Sequence, residues 1–361
     1  MKFFGQINAI LFLYFLASRY PFRLKEPHVF VMVEGRRVHA FFVNFTQNQR
    51  DNVLKSQIDY DNCPMCYFKS LNNNSNSSPR DMVLAVVINR VNNIFPWVRS
   101  LRTTGCKAKV VLLFDSVSYS HLSEDTHGLF VNCSISYFNV GYIPNVHYNA
   151  IFAIKNMLGY DFLTHVCENF DRVLFVDLYD VVFQEDPFNS NIGLKEMIIT
   201  RETPPFSRSY NNQQRVLPLF NSTQYMNVLF KPVLNAGLVY SDPHSLIRYW
   251  EMYFSMFNPN DLNSLKTCDQ GYMNYLYYSG RMEMAGIRVR VFYRKHGFDT
   301  LSSAGLNPND LKIGTAVFKS TNTRLIIIHQ FDRMRLCIDD LIQKCPQGNY
   351  MVKEGSYTRI W

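Results

Sequence analysis

The sequence has no glycine-rich phosphate loop, no run of lysine or arginine, no second close cysteine pair beside Cys63 and Cys66, no internal repeat and no apolar stretch of comfortable membrane-spanning length. Each absence excludes something. The net charge is +8, but the excess is scattered, so the surface is only mildly basic. Such a surface suits a phosphate-bearing ligand or an anionic membrane. With no zinc-finger spacing and no basic helix, nucleic acid is not an expected partner. A structural zinc site would need a second close cysteine pair. A thioredoxin-like motif would open a helix after a strand, whereas C-P-M-C (Cys63–Cys66) sits among Asp, Asn and Pro. These two cysteines are therefore expected in disulfides, local or to other cysteines, and Cys337 with Cys345 forms a further candidate pair.

What is present bounds the chain from the other side. It has 361 residues, of which 47% are hydrophobic and 15% aromatic, enough for a sizeable core and incompatible with global disorder. After Lys2, the unbroken apolar run Ala9 to Ala17 is shorter than the roughly 20 residues of a spanning helix. Residues 1–18 read as a signal peptide, with small Ala17 and Ser18 permitting cleavage, or as a short signal anchor. Arg19, Arg23 and Lys25 on the far side count against the anchor. A buried N-terminal helix is the third option. Sequons at Asn44, Asn73, Asn76, Asn132 and Asn221, with an even count of eight cysteines, fit a lumenal address: Golgi, ER or secreted.

Residues 19–80 form an extension, with two apolar runs around "EGRR" predicting a hairpin and an Asn/Ser tract "SLNNNSNSSPR" predicting a mobile loop or stem boundary. Residues 81–345 alternate differently. Continuous apolar runs ("MVLAVVIN", "AKVVLLFD", "FVNCSISYF", "RVLFVD", "KEMIIT", "NAGLVYSD", "IRVRVFY", "RLIIIHQFD") alternate with helical spacings such as "NIFPWVRSLRTTG", "HYNAIFAIKNMLGYDFLTHVC", "HSLIRYWEMYFSMF" and "DQGYMNYLYYSG". This pattern predicts an α/β fold with a mostly parallel sheet covered on both faces. Residues 346–361 are a tail. In such sheets ligands bind beyond the carboxyl ends of the strands. Several runs end there on a polar group: Asn89, Asp115, Asp177 and His329.

One stretch concentrates the chemistry. "DRVLFVDLYDVVFQEDPF" (171–188) ends an apolar strand on Asp177 and repeats the carboxylate at Asp180. Two carboxylates aimed at one point repel unless a cation lies between them. Hard divalent cations take oxygen ligands, and an imidazole such as His329 shifts the preference toward Mn²⁺ over Mg²⁺. The bland alternatives are a helix cap at Asp177, an Asx turn at Asp180 and a helix start at "EDPF".

This segment resembles the metal-binding strand of GT-A-fold glycosyltransferases, the class that includes glycogenin and its relatives. The resemblance has a departure: the spacing is D-x-x-D, with Tyr179 where the second Asp usually stands. "VLNAGLVYSDP" resembles the family's "FNAG" strand, at Asn235, Ala236 and Gly237. "CDQGYMNYL" resembles its "DQ…N" helix start, at Asp269, Gln270 and Asn274. "IIIHQFDR" resembles its late metal strand, at His329. The four motifs fall in order over residues 82–335.

The resemblance implies a GT-A (Rossmann-like) fold and a glycosyltransferase using a nucleotide-diphosphate sugar, UDP- or GDP-linked, with a glycan, protein or lipid acceptor and retention of configuration. Mn²⁺, held by Asp177, Asp180 and His329, would do the work of the missing phosphate loop; Mg²⁺ is the alternative. Ile88 and Asn89 would receive the base. Asn235, Ala236 and Gly237 would line the sugar pocket, and Asp269 and Gln270 would face the reacting sugar. Close strand–helix packing at Gly237 and an N-cap at Asp269 are the structural alternatives. Lys155, Arg172, Arg201 and Glu202 are weaker candidates for ligand contact, whose default is a surface or structural charge for the three bases. His147, His165 and His244 follow no ligand spacing. Two rival functions stay open. A metal-dependent phosphohydrolase would want an Asp after the first strand, where "VVINR" has none. The second is a non-catalytic sugar- or nucleotide-binding domain on a degenerate transferase fold, which the D-x-x-D departure keeps open.

Overall fold

The computed structural model describes residues 29–33, 36–40, 45–70, 75–89, 91–143, 148–188, 192–256, 268–293, 296, 298–300, 317–318, 323–333 and 335–345. The leader at 1–18 and the tail at 346–361 lie outside them. The strands, in chain order, are β1 (Val29–Val33), β2 (Arg36–Ala40), β3 (Asp81–Val87), β4 (Lys109–Phe114), β5 (Ile135–Asn139), β6 (Arg172–Val176), β7 (Val181–Phe183), β8 (Met197–Pro205), β9 (Pro232–Ser241), β10 (Val289–Phe292), β11 (Phe298–Thr300), β12 (Val317–Phe318), β13 (Thr323–Arg324) and β14 (Ile327–His329). The helices are α1 (Gln47–Lys55), α2 (Ile94–Thr103), α3 (Ser116–Ser120), α4 (Glu124–Asn132), α5 (Tyr148–Val166), α6 (Tyr210–Val216), α7 (Ser222–Val228), α8 (Pro243–Ser255), α9 (Asp269–Tyr278), α10 (Arg281–Met284) and α11 (Arg335–Lys344).

The central sheet has seven strands among the described residues, in the order β10-β8-β9-β6-β3-β4-β5. All neighbours pair parallel except β9, which runs antiparallel to both β6 and β8. Every residue of β3 and β4 is buried, because both faces of the sheet are covered. The two-residue side-chain period of β3 divides it between two cores. Met82, Leu84 and Val86 join Phe162 of α5 and Trp250 of α8. Val83, Ala85 and Val87 join Trp97 of α2 and Phe130 of α4 on the other face. The α/β architecture with a mostly parallel, doubly covered sheet is thus the one expected.

Helix starts follow local chemistry. Asp242 caps α8 by accepting the Ser245 amide, and Pro243 occupies its first turn. Gly105, at φ 75°, follows α2 in the left-handed conformation that an L side chain resists. The hairpin around "EGRR" is present as the antiparallel pair β1–β2.

Three readings need correction. The run "FVNCSISYF" is not one strand: Phe130 to Asn132 end α4, whose N-cap is Ser123, and β5 begins only at Ile135. "EDPF" starts no helix; Asp186 accepts from the Ser75 hydroxyl (2.6 Å), the Ser77 amide (2.8 Å) and the Phe188 amide (3.0 Å). The same contacts tie down the C-terminal end of the Asn/Ser tract, whose residues 71–74 lie outside the described residues. Cys345 does not pair with Cys337; the disulfides are Cys63–Cys133 and Cys66–Cys345. C-P-M-C therefore bonds outward at both cysteines, linking the extension to α4 and to the C-terminal end of α11. Two such bonds are the chemistry of an oxidising compartment. No helix among the described residues is long and apolar enough to cross a membrane.

Candidate metal site

β6 ends at Val176, and Asp177 follows at the carboxyl edge of the sheet. Its backbone amide still donates to the Gly237 carbonyl (2.9 Å), so β9 holds it in line. The chain then turns through Leu178, which is fully buried, and enters β7 after Asp180. Antiparallel pairing of β7 with β14 sets His329 opposite Val181, and the Gln330 amide donates to the Asp180 carbonyl (2.6 Å). Residues far apart in sequence are thereby brought to one point. His329 Nε2 lies 3.5 Å from Asp180 Oδ1 and 3.7 Å from Asp177 Oδ2.

Tyr179 accounts for the unusual spacing. Its phenol turns away from this cluster and accepts from the Ile88 amide (3.1 Å), tying the turn to the end of β3. The Asn93 side-chain amide donates to the Tyr179 carbonyl from the other side (2.5 Å). Asp180, one residue later, takes the position in the cluster.

Three features of the cluster fit a divalent cation. The donor set is two carboxylates and an imidazole. The buried Asp180 Oδ1 has no hydrogen-bond donor. Gly237 faces the cluster so closely that a Cβ there would lie 2.5 Å from Asp177 Oδ2 and 2.9 Å from His329 Nε2. Gly237→Ala is therefore expected to push both side chains apart and cost about 1–3 kcal/mol. Urea denaturation measures it, and an unchanged midpoint would show that the space is not needed.

Asp177 is shared. Its Oδ1 accepts from Lys155 Nζ at 2.8 Å, which leaves Oδ2 toward His329. Lys155 also lies 3.5 Å from Asp269 Oδ2. It comes from the middle of α5 and is buried, so it is not a surface charge. Burial by itself disfavours the ammonium, but Asp177 and Asp269 outweigh it and raise the Lys155 pKa. Burial likewise works against the Asp177 carboxylate, yet Lys155 and His329 hold its pKa below the usual range. For His329, burial would depress the pKa, and the Asp180 and Asp177 carboxylates override it, raising it to about 10.

The sign of the resulting pH dependence follows. His329 is raised above its unfolded value of about 6.5, so its charge stabilises the metal-free fold fully below that pH and progressively less as pH climbs through about 10. A metal needs the neutral imidazole and must displace that proton. Mn²⁺ affinity should then rise by about tenfold per pH unit between pH 6.5 and 8, with about one proton released per ion. Calorimetry in buffers of different ionisation enthalpy reads both; a pH-independent affinity would contradict it.

Beside the cluster lies a buried polar network centred on Glu202, near the end of β8. Glu202 accepts from the side-chain amides of Asn235 (2.9 Å), Gln270 (3.2 Å) and Asn212 (3.1 Å). Asn235 in turn accepts from the Gly237 amide (2.8 Å), which sets the direction of its side chain. Gln270 donates to Asn212 (2.7 Å) and accepts from the Ala236 amide (3.4 Å). Asp269 is the first residue of α9 rather than its cap; Cys268 holds the cap position. Asp269 Oδ1 accepts from the Gln270 amide (2.7 Å). Asn274 holds α9 against β9 through the Leu234 backbone, accepting from its amide and donating to its carbonyl (both 2.8 Å). A glutamine at position 202 would face at least one of these donors with another. Glu202→Gln should cost about 1–3 kcal/mol of stability. Chemical denaturation reads it; unaltered stability would show that Glu202 does not hold the network.

Asp177, Asp180, His329, Gly237, Asn235, Ala236, Asp269 and Gln270 thus form one contiguous region. Ile88 and Asn89 stand at the end of β3, joined to it through Tyr179. The Ile88 side chain is buried in the core, and Asn89 adopts φ 55° with its amide on Asp115 (3.2 Å). Arg172 lies elsewhere, paired with Asp81 at the opposite end of β6 (2.6 Å). Arg201 stacks on Tyr293, 4.3 Å from the ring centroid. Asn212 carries no sequence signal, since no motif marks residues 203–232, which run from the end of β8 through α6 and α7 to the first residue of β9. The one usable hint for Lys155 was a Lys-Asn pair inside the otherwise apolar "AIFAIKNMLGY".

No family model and no curated protein matches the chain. Among solved structures, it is similar to a glycosyltransferase involved in the glycosylation of the major capsid of PBCV-1. The match covers 70% of this chain and 92% of that one, at 11% identity and a TM-score of 0.37.

Proposed function

We propose that the chain is a divalent-metal-dependent glycosyltransferase that moves a sugar from a nucleoside-diphosphate donor, UDP- or GDP-linked, to a glycan, protein or lipid acceptor, with retention of configuration. The observation that carries this is the convergence of Asp177, Asp180 and His329 against the bare backbone of Gly237, at the carboxyl edge of the sheet. Mn²⁺, or Mg²⁺ in its place, would be held by those three residues and would neutralise charge on the donor's diphosphate as the nucleotide leaves.

The rest of the work falls to side chains. Lys155 holds one oxygen of Asp177 and stands by Asp269, so it orients both carboxylates. Asp269 and Gln270 head a helix pinned to β9 and present their polar groups beside Asn235. Glu202 fixes the amides of Asn235 and Gln270 so that sugar hydroxyls meet preset donors and acceptors. Ile88 and Asn89 are assigned to the base. The phosphohydrolase alternative is disfavoured by Asn89, which stands where that class places its nucleophilic carboxylate.

The test is calorimetric titration of UDP and GDP into the full chain, with and without Mn²⁺. Mn²⁺-dependent binding of one of them is expected, followed by turnover of the matching nucleotide sugar. Failure of both nucleotides to bind to folded protein would move the site to the non-catalytic class.

A further inference from the structure

A second group of ligating side chains lies outside the donor site. The chain leaves α5 through a short 3₁₀ turn, Cys167–Asn169, just ahead of β6. That is the amino end of the strand, roughly 15–20 Å from Asp177 by strand rise. Because β9 runs antiparallel, with Ser241 opposite Val173, it returns the chain to this same end, where α8 begins. His244 is the second residue of α8. Its Nε2 lies 3.6 Å from Glu168 Oε1, and Cys167 Sγ lies 3.9 Å from the same oxygen. All three ligand atoms fall within 4.8 Å of one another.

These separations are close to those a metal imposes. Tetrahedral zinc, with bonds near 2.0–2.3 Å, spaces its ligand atoms by roughly 3.3–3.6 Å. Two of the three separations need close by only a few tenths of an ångström, and the third, within 4.8 Å, by about 1 Å at most. The His244 and Glu168 side chains are 59% and 82% exposed, so such shifts meet little packing. Cys167 is a free thiol and only partly buried, unlike Cys106 and Cys268, the other free cysteines among the described residues. Thiolate, imidazole and carboxylate together favour zinc over the hard cations that suit Asp177, Asp180 and His329. Three protein ligands leave the fourth position to water.

We propose that Cys167, Glu168 and His244 form a zinc-class site that staples the C-terminal end of α5 to the start of α8, at the opposite end of the strands from the donor site. Binding places Cys167 as thiolate, its proton passing to solvent. This site takes no part in the proposed sugar transfer.

The experiment uses the full chain and Co²⁺ as an optical probe. Sulfur-to-cobalt charge transfer in the near ultraviolet reports thiolate ligation, which Asp177, Asp180 and His329 cannot give. The wild type and Asp177→Ala should both show the band, and Zn²⁺ should displace it. Cys167→Ala and His244→Ala should each lose it; His244 is exposed enough for its replacement to leave the fold intact. Zn²⁺ should also raise the thermal midpoint of the wild type above its effect on Cys167→Ala. Cobalt uptake by the wild type without a thiolate band, or a band that survives in both site variants, would overturn the proposal.

Discussion

Asp177→Ala is expected to abolish Mn²⁺-dependent nucleotide binding and to lower donor turnover by roughly 10²–10³-fold, the equivalent of a few kcal/mol of charge stabilisation. Asp177 is the pivot of two interactions. One carboxylate oxygen accepts from Lys155 and the other faces His329. Alanine removes both, leaving Asp180 and His329 as the remaining candidate ligands and Lys155 with Asp269 alone, 3.5 Å away. Asp177→Asn separates the two losses. It retains an oxygen for coordination and removes the charge, so it should bind Mn²⁺ weakly and turn over slowly. Steady-state rates with the matching donor, at saturating Mn²⁺, give the comparison. Full activity in Asp177→Ala, with a normal far-ultraviolet spectrum, would remove Asp177 from the metal site.

Lys155→Met should destabilise the metal-free protein by about 3 kcal/mol, the low end for breaking one partner of a buried ion pair. The low end applies because the Asp177 side chain retains 28% exposure and part of its hydration. Methionine keeps the length of the stem, so the cost is electrostatic: Asp177, Asp180 and Asp269 would share one buried region with only His329 to balance them. Mn²⁺ brings the missing positive charge and should recover a substantial part of the loss. Urea denaturation of wild type and variant, each with and without Mn²⁺, yields the four midpoints. If the variant loses as much stability with Mn²⁺ as without it, Lys155 is a packing residue and the electrostatic account of the site fails.

The metal candidates and the Lys155 partnership differ in how much the sequence disclosed. Asp177 and His329 each close an apolar run, and a strand buried on both faces must end in such a run. The carboxyl edge was therefore readable without the fold. Asp180 was readable as a candidate but not as a ligand, since its place depends on Tyr179 turning toward Ile88. The "NAG" and "DQ" segments were readable as motifs. Glu202 was readable only as a weak contact candidate and Asn212 not at all; that they hold these segments was hidden, because a hydrogen bond between β8 and α6 leaves no periodic trace in either.

Local sequence by itself determined the apolar runs, the helix caps, the left-handed glycine after α2 and the α/β class, because each rests on residues within a few positions of one another. Tertiary structure alone decided the direction of β9, the disulfide partners of Cys63 and Cys66, the burial of Lys155 between two carboxylates and the meeting of Cys167, Glu168 and His244. Each of these depends on strand order and register. Those are set by how two cores close around one sheet, and no short stretch of the chain encodes that closure.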